Sequence, residues 1–93
     1  MVTKRERSIM AQLAEMAYDM EQQALRRGVS YRELSRGLSL SLVIAGGKKV
    51  LTLARPAVKP SDDEISTCRL LFRVPMDAQR DDGGVTVTLR WPS

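Results

Sequence analysis

The sequence predicts an α+β fold in the order ααββαβ: a long N-terminal helix, a short second helix, a β-hairpin, a third helix and a last strand. The three strands make one sheet covered by the helices. Three observations carry this. Residues 38–55, LSLSLVIAGGKKVLTLAR, are two alternating runs joined at Gly46-Gly47. Apolar residues recur at helical spacing through 9–24, and Val85, Val87, Leu89 and Trp91 alternate with Thr86, Thr88 and Arg90, the pattern of a half-buried strand.

The hairpin comes first because its register can be read directly. A two-residue Gly-Gly loop suits the primed turns, which need positive φ and match strand twist. With Ala45 opposite Lys48, one face pairs Leu42 with Leu51 and Leu40 with Leu53, flanked by Ile44 with Lys49 and Leu38 with Arg55. The other face pairs Val43 with Val50, Ser41 with Thr52 and Ser39 with Ala54. A slip of one residue would turn the leucines to solvent, so pattern and turn agree on one register. A lone hairpin is unstable in water, and the other segments are expected to cover its leucine face.

Thr3-Lys4-Arg5-Glu6 has the residues of a capping box, and Ile9, Leu13, Met16, Ala17, Met20 and Ala24 follow along one helical stripe. Arg26-Arg27-Gly28 supplies cations for the negative helix end and a glycine for the left-handed position beyond it. Met10, Tyr18 and Leu25 widen the apolar surface. The second helix is expected from Ser30 to Gly37, with Ser30 as N-cap, Glu33 closing a capping box, and Val29 and Leu34 as a hydrophobic staple. Pro56 and Pro60 bracket a linker that cannot continue a sheet interior. Ser61-Asp62-Asp63-Glu64 is a third capping box, followed by Ile65, Cys68, Leu71 and Phe72 at helical spacing until Val74-Pro75. MDAQRDDGG reads as a polar loop. The last strand would be reached by a crossover if it ran parallel to the one before α-helical residues 61–74.

The run ALRRGVSYRELSR, residues 24–36, resembles a helix-turn-helix motif. Ala24, Gly28 and Leu34 stand where that motif has a small residue between its helices, a turn glycine and a core aliphatic. The resemblance implies that Tyr31, Arg32, Ser35 and Arg36 are exposed on a recognition helix and meet phosphates or base edges. It covers a short stretch, and residues 4–27 show no break that would supply the preceding helix of a three-helix core. A capped helical corner accounts for the same residues without DNA.

Residues 1–93 are expected to make one small domain, near the size at which a single core is marginal. Aliphatic content is ordinary, with 43% hydrophobic residues, four aromatics and five methionines. The chain has no histidine, and its one cysteine, Cys68, can form no intrachain disulfide. The basic N-terminus has no apolar run behind it, and no stretch of about 20 apolar residues is present. The expectation is a cytoplasmic protein with no membrane association and no cofactor.

Charge is the main functional clue. The net charge is +4, yet residues 26–59 hold Arg26, Arg27, Arg32, Arg36, Lys48, Lys49, Arg55 and Lys59 against Glu33 alone, a net of +7. Basic residues also solvate turns and strand ends, so a structural reading stands beside the functional one. Catalysis is not expected: the acidic run 62–64 is used by the capping box, Asp81-Asp82 lies beside a Gly-Gly turn, and Cys68 falls on the buried stripe. Gly46-Gly47-Lys48-Lys49 lacks the spacing of a phosphate-binding loop and opens no helix.

Two functional expectations follow. The first is a small basic nucleic-acid-binding module, such as a DNA-binding regulatory protein, acting mainly through phosphate contacts from Arg26, Arg27, Arg32, Arg36, Lys48, Lys49 and Arg55 with Tyr31 among them. The second is a non-enzymatic protein-interaction or assembly module that dimerises or docks on a partner through Ile9, Leu13, Met16 and Met20 of the long helix.

Overall fold

A computed structural model describes residues 4–93, with side chains from Met10 onward. The capping box at Thr3 and the side chain of Ile9 lie outside the described residues. The elements are α1 (Lys4–Arg27), β1 (Val29–Glu33), a 3-10 turn (Ser35–Gly37), β2 (Ser39–Ala45), β3 (Lys48–Ala54), α2 (Asp62–Leu71), β4 (Gln79–Gly83) and β5 (Thr86–Pro92). The strands form one antiparallel sheet in the order β1-β2-β3-β5-β4. The class is α+β as expected, with two α-helices and five strands among the described residues in place of three helices and three strands. No helix among the described residues is long and apolar enough to cross a membrane.

The β2–β3 hairpin has the expected register, Ala45 with Lys48, Leu42 with Leu51 and Leu40 with Leu53. Gly46 and Gly47 both take positive φ, 60° and 75°, as a primed turn requires. β5 extends the leucine rows with Val87 beside Leu53 and Leu89 beside Leu51. Leu40, Leu51, Leu53, Val87 and Leu89 are all 0% exposed. Over them lie Met16, Ala17, Met20 and Ala24 of α1, and Ile65, Cys68 and Phe72 at α2. The opposite sheet face carries Ser39, Ser41, Thr52, Thr86 and Thr88 with Val43 and Val50, all half-buried.

α2 begins as its sequence demands. Ser61 Oγ accepts from the Glu64 N–H at 3.2 Å and the Glu64 carboxylate accepts from the Ser61 N–H at 2.9 Å, a complete capping box. It ends at Arg73, which takes a left-handed φ of 53°. The Val74 N–H reaches the Arg69 carbonyl and the Arg73 N–H the Leu70 carbonyl, the two bonds of a Schellman closure.

Two segments depart from expectation. Residues 29–33 are a strand where the short second helix was expected, so the recognition helix of the helix-turn-helix resemblance does not form. Gly28, with φ 85°, turns the chain, and its carbonyl accepts from the Ile44 N–H at 2.9 Å. The ladder to β2 therefore starts at the helix end and continues through the pair Ser30 with Leu42 and the pair Arg32 with Leu40. β1 shields the outer edge of β2, which would otherwise leave an apolar strand unpaired. Residues 79–83 form β4, which shields β5 in the same way, where a loop was expected. Because β4 intervenes, β5 runs antiparallel to β3, and the α2 crossover joins β3 to β4, which lies parallel to it on the far side of β5.

Ser30 is consequently no N-cap. It is 4% exposed, and its Oγ has no hydrogen-bond partner among the described residues. Ser30→Ala removes a hydroxyl that has lost its water without gaining a partner. In dilute solution the variant is expected to be as stable as the parent or up to about 1 kcal/mol more so, where an N-cap would lose about that much. Urea melts at matched m-value check the sign.

Candidate interaction surface

The expected cations divide between the two ends of the sheet. Arg26 and Arg27 occupy the exposed last turn of α1, where they face the negative end of the helix dipole. The Gly28–Ile44 bond holds that turn beside the β2–β3 tip, where Lys48 and Lys49 begin β3. Arg55 follows the other end of β3, and seven residue steps at ~3.3 Å put it ~23 Å from Lys48 at that tip. Arg36 lies at this far end, in the turn between β1 and β2, with φ 62°. Tyr31 and Arg32 sit on β1 between the ends, pointing to opposite faces of the sheet.

Several of these groups are already engaged. Lys49 Nζ bonds Glu21 Oε1 at 3.2 Å. The Arg55 guanidinium grips both carboxylate oxygens of Glu64, one arm at 3.0 Å, and donates from Nε to the Arg36 carbonyl at 3.1 Å. That fork, with the Ser61 N–H, pulls the Glu64 carboxyl from its ordinary 4.5 down to about 2. The Tyr31 hydroxyl donates to Glu33 Oε1 at 3.0 Å, and the acceptor raises its pKa. Arg26, Arg27, Arg32, Arg36 and Lys48 are exposed.

The stripe expected to meet a partner is mostly used internally. Met16 and Met20 are 7% and 1% exposed against the sheet, and Leu13 packs on the same core. Among the described side chains of α1, the large apolar residues Met10, Tyr18 and Leu25 are exposed.

Other chemistry is sparse. Burial pushes the Cys68 thiol up to about 11, which leaves it protonated and inert. No cluster of potential metal ligands is present among the described residues. A cleft of ≈ 220 Å³ between α1, β2 and α2 is lined by the apolar Met16, Leu34, Leu38, Leu40 and Leu71 and by Cys68, together with the polar Ser35, Asp63, Glu64 and Thr67.

The outer edge of β1 is a different matter. In an antiparallel ladder, alternate residues point both backbone groups at the partner strand and the residues between them point both outward. Gly28 and Leu34 bond toward β2, through Ile44 and Leu38. The even-numbered residues of β1 therefore face β2, and Val29, Tyr31 and Glu33 turn their N–H and C=O groups to the free edge. Val29 and Tyr31 are 50% and 60% exposed. β4, the other edge, is protected by charge: Asp82 pairs with Arg80 and Lys59, and Asp81 with Arg90. Those cations hold the Asp82 carboxyl well below the usual carboxylate range. The β1 edge carries no such set of ion pairs among the described residues. Its alternation, Val29-Ser30-Tyr31-Arg32-Glu33, is visible in the sequence, but the capping pattern Ser30…Glu33 occupies the same five residues and points to a helix.

No protein-family model, curated protein or solved structure matches this chain.

Proposed function

We propose that the chain is a non-enzymatic protein-interaction module that engages its partner by strand addition at the outer edge of β1. The observation that carries this is the row of outward backbone groups at Val29, Tyr31 and Glu33, flanked by exposed apolar side chains, on a sheet whose other edge is guarded by charge. Main-chain hydrogen bonds supply affinity in such recognition, and alternate side chains supply specificity.

Amide hydrogen exchange on dilute protein tests the edge. The amides of Val29, Tyr31 and Glu33 should exchange much faster than those of Ser30 and Arg32, whose bonds to β2 protect them. Equal protection of all five would mean the edge is covered, and would overturn the reading.

A nucleic-acid reading has one observation in its favour: Arg26, Arg27 and Lys48 are exposed at the same end of the sheet. Three phosphate contacts would give a log–log slope of affinity against salt of about −3, flattened by roughly one unit for each cation neutralised. The interaction reading expects weak retention at low salt and no such loss on neutralising the three. A steep slope that follows these substitutions would favour the nucleic-acid reading instead.

A further inference from the structure

We infer that the strand added to β1 is β1 of a second copy of the chain, paired antiparallel about a two-fold axis at Tyr31. This rests on the strand-addition reading and names its partner. Only the odd residues of β1 turn their backbone groups outward, so two copies must set odd opposite odd to form hydrogen-bonded pairs. The register centred on Tyr31 brings Val29 opposite Glu33 of the second copy, Tyr31 opposite Tyr31, and Glu33 opposite Val29. All three outward residues are then used, and each opposed pair exchanges two bonds, about six in all. Shifting the axis to Ser30 or to Arg32 leaves one outward residue without a strand partner.

The side chains select the same register. Tyr31 against Tyr31 is an aromatic cross-strand pair on the open face, where the ring is 60% exposed in the single chain. An axis at Arg32 would set Arg32 against Arg32, a like-charge pair that costs stability. With the axis at Tyr31, no like charges are directly opposed. On the helix-covered face Arg32 of the second copy lies opposite Ser30, whose buried Oγ has no hydrogen-bond partner among the described residues of its own chain. In this register a guanidinium stands across the strand from that orphaned oxygen, in the closely spaced non-hydrogen-bonded position. The arrangement is reciprocal, so each copy supplies the donor to the other, as an isologous interface requires. The result is a continuous ten-stranded sheet, five strands from each copy, in which both unguarded edges are removed and the charged β4 strands become its outer limits.

Sedimentation equilibrium over about 1 μM to about 1 mM protein tests this on the full chain, a range that covers weak to moderate dimers. The parent is expected to pass from monomer to dimer, with exchange at Val29, Tyr31 and Glu33 slowing as dimer forms. Tyr31→Pro deletes an outward N–H while leaving the β1–β2 ladder its bonds, and proline is tolerated on an edge strand. It should abolish dimerisation with an unchanged circular dichroism spectrum. Tyr31→Lys, which sets like charges face to face on the axis, is the second variant and should weaken dimerisation at least tenfold. Ser30→Ala, neutral or stabilising for the single chain, should also weaken the dimer. A parent that stays monomeric throughout overturns self-pairing, and rapid edge exchange in that case would leave the strand-addition reading standing. A dimer that persists in Tyr31→Lys with its fold intact would overturn the proposed interface.

Discussion

Leu51→Ala is expected to be among the most damaging truncations of the core. Leu51 sits in the middle strand of the sheet, between Leu42 of β2 and Leu89 of β5, and is 0% exposed. Truncating a leucine in such a place removes its transfer free energy and leaves a cavity that rigid neighbours cannot close, together about 2–5 kcal/mol. A domain of 93 residues has only about 5–14 kcal/mol in total. The midpoint of urea unfolding should fall sharply at nearly constant m, and a loss under 1 kcal/mol would contradict the packing described. Leu70→Ala is the control, because Leu70 is on the same scale of volume but 76% exposed, and its effect should stay within about 0.5 kcal/mol.

The second large effect is at Glu64. Its carboxylate closes the α2 capping box and receives the Arg55 fork, so one side chain fixes the helix start and ties it to the end of β3. Glu64→Gln keeps the shape and removes the charge, and an expected loss of roughly 2 kcal/mol reflects the charge-assisted bonds. Partial exposure, 28% for the Glu64 side chain, keeps this below the value of a fully buried pair. The pH dependence has a definite sign. Because the carboxyl titrates at about 2 when folded and near 4.5 when unfolded, its contribution is complete above about 4.5. It is lost as the pH falls from there toward about 2, as the unfolded chain takes up the proton first. Melts of the parent from neutral to acid pH should lose this increment over that window, and Glu64→Gln should lack it. Identical acid profiles for the two proteins would show that the Arg55–Glu64 fork does not contribute.

Local chemistry was sufficient for the β2–β3 hairpin, the α1 stripe and the α2 cap, and misled at the Ser30…Glu33 pattern and at residues 79–83. Gly46-Gly47 and the period-two leucines determined the β2–β3 register, because any slip would expose the apolar face. The α1 stripe placed Met16, Ala17, Met20 and Ala24 on the sheet, and Ser61 with Glu64 determined where α2 begins. The same physics accounts for the inert Cys68.

The edge strands were decided only in three dimensions. Residues 79–83 lie at the surface and have no apolar alternation to announce a strand; they become one by pairing with β5 across the Gly84-Val85 turn and by charge contacts with Lys59 and Arg90. Residues 29–33 carry both a capping pattern and a strand alternation, and the free edge of β2 selected the strand because its backbone groups needed partners. That selection also moved Tyr31 and Arg32 from one expected helical surface to opposite sheet faces, and set Arg36 in a turn at the far end from Arg26, Arg27 and Lys48. A linear run of cations records how many charges a segment holds, while the directions of Arg32, Lys48 and Lys49 are set by the ladders in which their strands pair.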